Sequence, residues 1–107
     1  MRAALEKMLA GGRDDAILRF SLGSACINDG DASAAAVHLR RAVEHDPAYS
    51  AAWKLLGKAL LELGRSDEAE RCWTLGIEAA EAKGDVQAAK EMRVFLKRLR
   101  KSGGGTR

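Results

Sequence analysis

Residues 53–73 read WKLLGKALLELGRSDEAERCW, and residues 19–39 read RFSLGSACINDGDASAAAVHL. The two stretches lie 34 residues apart, and at this shift small residues align with small ones and large residues with large ones. The aligned pairs are Leu22 with Leu56, Gly23 with Gly57, Cys26 with Leu60, Gly30 with Gly64, Ala35 with Ala69, Leu39 with Trp73 and Val43 with Ile77. A period of this length predicts a repeat architecture in which each unit buries its apolar face against its neighbours.

Glycine recurs at Gly23 and Gly57, within segments whose other residues favour a helix. A glycine inside a helix costs about 1 kcal/mol relative to alanine. That cost is tolerable where a second helix must approach closely, and Ala35 and Ala69 are the small partners that would permit the approach. The sequence therefore predicts paired helices in close contact at the two glycines.

The repeat resembles the tetratricopeptide repeat (TPR) family, whose units read W-x-x-L-G-x-x-Y, then A-x-x-x-F, then a proline. The second copy carries this pattern at Trp53, Leu56, Gly57, Ala69 and Trp73, and the first carries it at Leu22, Gly23, Ala35, Leu39, Ala42 and Pro47. The chain departs from the pattern at Arg19, Cys26, Leu60 and Glu81. The resemblance implies an all-α fold of antiparallel helix pairs, stacked as a short right-handed solenoid of about six helices.

Turn and capping residues divide residues 1–101 into the parts of one TPR domain. We predict a half-repeat helix over 2–10, repeats over 16–49 and 50–83, a capping helix over 85–101 and a disordered tail over 102–107. The repeat helices are expected near 14–28, 32–45, 47–62 and 66–82. Expected N-terminal caps are Asp31, Ser66 and Asp85, with Asp46 capping a helix that begins at Pro47.

Composition indicates a helical protein without a membrane span. Hydrophobic residues make up 47% and charged residues 31% of the 107 residues, and no apolar run approaches the roughly 18 residues that a membrane helix needs. The first ten residues lack the apolar core of a signal peptide, so a cytoplasmic location is expected. Cys26 and Cys72 are expected to be buried, reduced thiols, although sequence alone leaves a disulfide open.

The positive charge is concentrated at one end of the chain. Residues 86–107 hold seven basic residues and one acidic residue, a net charge of +6, which leaves −3 for the rest of a chain whose total is +3. The basic side chains of the last predicted helix are Lys90, Arg93, Lys97, Arg98, Arg100 and Lys101. They form either the solvated face of that helix or a site for a polyanion or nucleic acid. Aromatic residues are only 5% of the chain, so a stacking platform for nucleic acid is not expected.

No arrangement of residues indicates catalysis, and we predict that the chain is not an enzyme. His38 and His45 lie seven residues apart, too far along one helix for both to bind the same metal ion. No phosphate-binding loop precedes a helix. Trp53 and Trp73 occupy positions that the TPR pattern assigns to the core. No metal ion or other cofactor is therefore expected.

The resemblance implies a protein or peptide partner on the concave face, which the first helix of each pair lines. The implied groove residues are Ile17, Phe20, Ser24, Ile27, Ala51, Lys54, Lys58, Leu61 and Glu62. Lys54 and Lys58 are spaced to share one helix face and suit a peptide or partner helix with an acidic group, or are simply solvated. Phe20 and Ser24 stand where TPR proteins that bind chaperone tails use lysine and asparagine, so that activity is not implied. The expected state is a monomer or a weak homo-oligomer.

Overall fold

The computed structural model describes residues 1–102, and all of the regular secondary structure in this part is helical. The helices are α1 (Arg2–Ala10), α2 (Ala16–Asn28), α3 (Ala32–His45), α4 (Ser50–Glu62), α5 (Ser66–Ala82) and α6 (Val86–Lys101). Of the predicted disordered tail, Ser102 ends α6 by donating a hydrogen bond to the Leu99 carbonyl over 2.9 Å. The remainder, 103–107, lies outside the described residues.

The helices pack in chain order, each against the next, and α2 and α3 make one pair while α4 and α5 make a second. Contacts also join α2 to α4 and α4 to α6, so these three helices form one layer. Along the α4–α6 boundary, Ser50 donates a hydrogen bond to Asp85 over 3.3 Å. One turn further on, Lys54 pairs with Glu91 over 2.6 Å. The two helices therefore run side by side in the same direction.

Both repeat glycines lie where the second helix of their pair crosses closely. A Cβ atom placed on Gly57 would lie 2.5 Å from Trp73 Cε2, and one on Gly23 would lie 2.6 Å from Leu39 Cδ2. These distances are far shorter than van der Waals contact, so only glycine fits at either position. The close helix contact predicted from the repeat is thus present in both pairs.

Two helices begin two or more residues later than the sequence predicted. Asp15 caps α2 by accepting a hydrogen bond from the Leu18 amide over 2.8 Å, so the helix starts at Ala16 and not at residue 14. The prediction that Asp46 caps a helix starting at Pro47 is wrong, because Asp46 accepts from the Ala48 amide over 3.1 Å and closes a turn. An aspartate side chain that satisfies its own turn in this way competes with helix formation.

Of the helices that follow Gly30, Gly64 and Gly84, the first and the third are capped by an aspartate and the second is not. Asp31 accepts from the Ala34 amide and Asp85 from the Ala88 amide, each over 3.1 Å. The predicted cap at Ser66 is wrong, since Ser66 is the first residue of α5 and no side chain caps that helix. The acidic residues in the first turn of α5 supply favourable charge at its positive end instead.

Arg19 and Trp53 occupy equivalent repeat positions and both hold the loop before their helix. Trp53 Nε1 donates to the Pro47 carbonyl over 2.8 Å, whereas Arg19 donates to both Asp14 carboxylate oxygens over 2.8 and 2.9 Å. Trp53, which the sequence assigned to the core, is half-buried and packs against the core. Trp73 is 1% exposed and does belong to the core.

Candidate functional site

The residues that the sequence assigned to a groove all lie on α2 and α4, and none is fully buried. On α2, Ile17 is 64% exposed, and Phe20 packs against Tyr49 with ring centroids 5.0 Å apart. Phe20 and Ser24 line one hollow together with Leu5 of α1. The structure brings Ile27, Lys58, Leu61 and Glu62 together at a second hollow, while Ile17, Ala51 and Lys54 lie outside both.

A groove crosses the layer from α2 to α6 through two adjoining hollows. The α2–α4 hollow has a volume of about 220 Å³ and is lined by Ile27, Lys58, Ala59, Leu61 and Glu62. The α4–α6 hollow has a volume of about 400 Å³ and is lined by Lys58, Leu61, Trp73, Phe95, Arg98, Leu99 and Ser102. Lys58 and Leu61 line both hollows, so the two hollows adjoin at these side chains. We refer to the two together as the α2–α4–α6 groove.

Apolar side chains form most of the groove surface. Leu61 remains 40% exposed although it is a large aliphatic residue. At the base of the α4–α6 hollow, the Trp73 and Phe95 rings pack with their centroids 5.2 Å apart. The Trp73 indole N–H is held by the Lys54 carbonyl over 3.1 Å, so the base of the hollow is fixed in position. The groove thus has an apolar base, as ligand-binding clefts commonly do.

Two cations border the groove without an acidic partner. Lys58 Nζ lies 5.4 Å from the centroid of the Phe95 ring, which is within the range of a cation–π contact. Within residues 1–102, neither Lys58 nor Arg98 has a carboxylate oxygen within 4.0 Å. Both charges are therefore available to a ligand in the groove.

Lys54 differs from Lys58, contrary to the expectation that both are exposed charges on one face. Lys54 is half-buried and pairs with Glu91 of α6 over 2.6 Å, and Gln87 donates to the other Glu91 oxygen over 3.1 Å. These hydrogen bonds, from Lys54 first and then Gln87, lower the pKa of the Glu91 carboxyl below its ordinary value. Lys54 is consequently engaged within the fold, since α6 covers the position that the sequence left open.

Sequence reasoning missed the contribution of Phe95 to the groove. The spacing of Ala88, Met92, Phe95 and Leu99 in the sequence predicts that these four residues form the inward stripe of the last helix. In the structure the buried residues of α6 are Ala88, Ala89, Met92, Leu96 and Leu99, and Phe95 is half-buried at the groove. Ala89, Met92, Leu96 and Leu99 also have helical spacing, so the sequence contains two overlapping apolar stripes. This overlap could have indicated that Phe95 lies at the edge of the buried face.

The geometry of paired helices, repeat glycines and a three-helix layer agrees with the comparison to known proteins. A sequence profile described as tetratricopeptide repeat matches residues 27–92. This chain belongs to the TPR family. The confirmed fold class is therefore the all-α TPR repeat, and a TPR chain is in general a protein-interaction module and a non-catalytic scaffold.

The TPR chain has relatives in several bacteria. A TPR repeat-containing protein of Pseudomonas aeruginosa is 54% identical over 99 residues, which cover 92% of this chain and 94% of the relative. The solution structure of a Bordetella parapertussis protein superposes with a TM-score of 0.82 at 44% identity, covering 95% of this chain and 89% of that one. The crystal structure of a TPR domain protein from Salinibacter ruber gives a TM-score of 0.73 at 28% identity, covering 78% and 93%.

The basic residues of this TPR chain that were assigned to an alternative polyanion site are partly neutralised. Arg93 pairs with Glu81, and Arg100 pairs with Glu70 over 3.1 Å. An open hollow on the outer side of α6 is lined by Arg93, Leu96, Lys97, Arg100 and Lys101. Within the described part of the chain, Lys90, Lys97, Arg98 and Lys101 form no ion pair. The comparisons give no support to nucleic-acid binding.

The two cysteines of the TPR chain are buried, and His45 contacts a neighbouring carboxylate. Cys26 and Cys72 are free and buried, and burial raises the pKa of the Cys72 thiol to about 11. His45 Nε2 contacts Asp14 over 2.9 Å. Among residues 1–102, no three His, Cys, Asp or Glu side chains gather closely enough to hold a metal ion. No helix in that part combines the length and the apolar character needed to cross a bilayer.

Proposed function

We propose that this TPR chain binds a peptide segment or a helix of a partner protein in the α2–α4–α6 groove. The supporting observation is that two apolar hollows adjoin at Lys58 and Leu61, one reaching α2 and the other α6. Adjoining apolar hollows along one helix layer suit an extended peptide or an amphipathic helix. Family membership supports a protein partner, and the groove supplies the place where it would bind.

The size of the groove sets the length of the bound segment. Packed helices lie about 8–10 Å apart, so two spacings from α2 to α6 span on the order of 20 Å. An extended peptide rises about 3.3 Å per residue and would need roughly six residues to cross the layer. A helix rises about 1.5 Å per residue and would need roughly thirteen. A library of random sixteen-residue peptides therefore offers both types of ligand.

The test is a selection of such peptides on the immobilised protein, compared with two matched leucine variants. Leu61→Asp places a charge in the groove, and Leu75→Asp places the same charge on α5, where Leu75 is 46% exposed and outside the groove. Because both leucines are similarly exposed, the two variants should have similar stability. We expect peptides selected on the wild type to bind Leu75→Asp equally well and Leu61→Asp at least about tenfold more weakly.

Equal binding of the selected peptides to Leu61→Asp would contradict the proposal. So would loss of binding on reversing Lys97 and Lys101 to glutamate without any effect of Leu61→Asp, because these lysines line the outer hollow of α6. Backbone amide chemical shifts in ¹⁵N-labelled protein provide an independent location for the bound peptide. Shifts concentrated at Ile27, Leu61 and Phe95 are the expected result.

A further inference from the structure

We propose that the α4–α6 hollow is a subsite for one bulky apolar side chain with an adjacent carboxylate. This inference rests on the proposed function and specifies the chemistry of the segment that the groove accepts. The sequence had assigned the acidic group to Lys54 and Lys58 on one helix. The structure instead places the available cations on two helices, Lys58 on α4 and Arg98 on α6, and both line the same hollow.

The apolar part of the ligand follows from the base of the hollow. Leu61 and Phe95 present carbon surface around a volume of about 400 Å³, and the nearly buried Trp73 and Leu99 lie beneath them. Trp73 is anchored by its hydrogen bond to Lys54, and Leu99 is buried, so the base cannot collapse to fill the space. A phenylalanine, leucine or tryptophan side chain would replace water against this surface and also contact the exposed side of Leu61.

The acidic part follows from the two charges at the rim. An arginine guanidinium offers parallel N–H groups that match the two oxygens of a carboxylate, and a lysine adds a mobile point charge. Glu62 lies one turn after Lys58 and lines the neighbouring hollow, so it partly offsets the positive charge at that side. The hollow is therefore suited to a carboxylate bound close to Arg98 and Lys58 and kept away from Glu62.

The test uses N-acetyl-L-phenylalanine, which carries one aromatic side chain and one carboxylate, and its uncharged amide as the matched ligand. Titration into ¹⁵N-labelled full-length protein at millimolar concentration is followed at the Trp73 indole N–H. This signal is distinguished from that of Trp53 with the Trp53→Phe variant. We expect both ligands to shift the Trp73 signal and the acid to bind roughly fivefold more tightly, since an exposed charge pair contributes up to about 1 kcal/mol.

Four single substitutions identify the charges involved. Lys58→Gln and Arg98→Gln should each reduce the preference for the acid at least about twofold and leave the affinity for the amide unchanged. Glu62→Gln should increase that preference, which a general loss of structure would not do. Lys97→Gln removes a neighbouring charge of α6 that lines the outer hollow and should change neither affinity. Circular dichroism spectra establish that each variant retains its helices.

Equal affinity of the wild type for the acid and the amide would overturn the inference. It would also fail if Lys97→Gln had the same effect as Arg98→Gln, because the discrimination would then reflect net charge alone. No shift of the Trp73 signal, together with selected peptides that still require Leu61, would reject the subsite and leave the proposed function standing. Selected peptides that ignore Leu61 would instead reject the proposed function.

Discussion

Arg19 Nη1 on α2 donates a hydrogen bond to His38 Nδ1 on α3 over 3.0 Å. A guanidinium group can only donate, so Nδ1 must accept and the proton of the neutral ring must be on Nε2. Burial first, and then the positive charge of Arg19, lower the pKa of His38 below its ordinary value of 6.5. The contact between the first paired helices thus depends on an uncharged imidazole.

We expect the stability of the protein to decrease as the pH falls below about 6.5, where an unperturbed histidine takes up a proton. In this range the unfolded state binds a proton at His38 more readily than the folded state, so acidification favours unfolding. Urea denaturation at pH 7.5, 6.5 and 5.5 measures the change. His38→Gln keeps an acceptor for Arg19 without a titrating group and should flatten the pH dependence. If His45→Gln flattened the pH dependence of stability and His38→Gln did not, the prediction for His38 would be wrong.

Gly57→Ala should destabilise the protein although alanine is the better helix former. Helix propensity alone predicts a gain of about 1 kcal/mol, whereas overpacking costs about 1–3 kcal/mol. The new Cβ would lie against the Trp73 indole, which is rigid and hydrogen-bonded. Gly23→Ala meets the more adaptable Leu39 side chain and should be less harmful. Thermal denaturation of both variants tests this order, and a Gly57→Ala protein more stable than the wild type would contradict it.

Leu56→Ala should lower the free energy of unfolding by about 2–5 kcal/mol, because it leaves a cavity in the core. Leu56 is 1% exposed and Leu61, on the same helix, is 40% exposed. Leu61→Ala should therefore change stability by about 0.5 kcal/mol or less. Chemical denaturation should also show one transition in each case, since every repeat is buried against its neighbours. Equal losses of stability in Leu56→Ala and Leu61→Ala would contradict the assignment of Leu56, and not Leu61, to the core.

Reversing the charge of Lys54 should lower the melting temperature, because the new glutamate would face Glu91. The same reversal at Lys58 should have little effect on stability, since Lys58 has no acidic partner within the described chain. Exchanging both charges, with Lys54→Glu and Glu91→Lys together, should recover much of the loss. A double variant no more stable than Lys54→Glu alone would show that the pair is not formed in solution.

The sequence by itself determined the repeat and the helix pairs. Its 34-residue period places Gly57 against Trp73 and Gly23 against Leu39, because close helix packing requires a small residue at the same step of every unit. The capping roles of Asp31 and Asp85 could also be read locally, since an N-cap acts within three residues of its own position. The start of α4 could not be predicted from local sequence, because Asp46 can equally cap a helix or close a turn.

Only the tertiary structure decided which of these side chains are available to a partner. Lys54 and Lys58 have the same chemistry and lie one turn apart, yet α6 supplies Glu91 to the first and Phe95 to the second. That difference depends on the position of α6 beside α4, which the repeat pattern does not encode because α6 lies beyond the two full copies. Lys58 and Arg98 line the same hollow for the same reason, because side chains on separate helices come together only after the helices have packed.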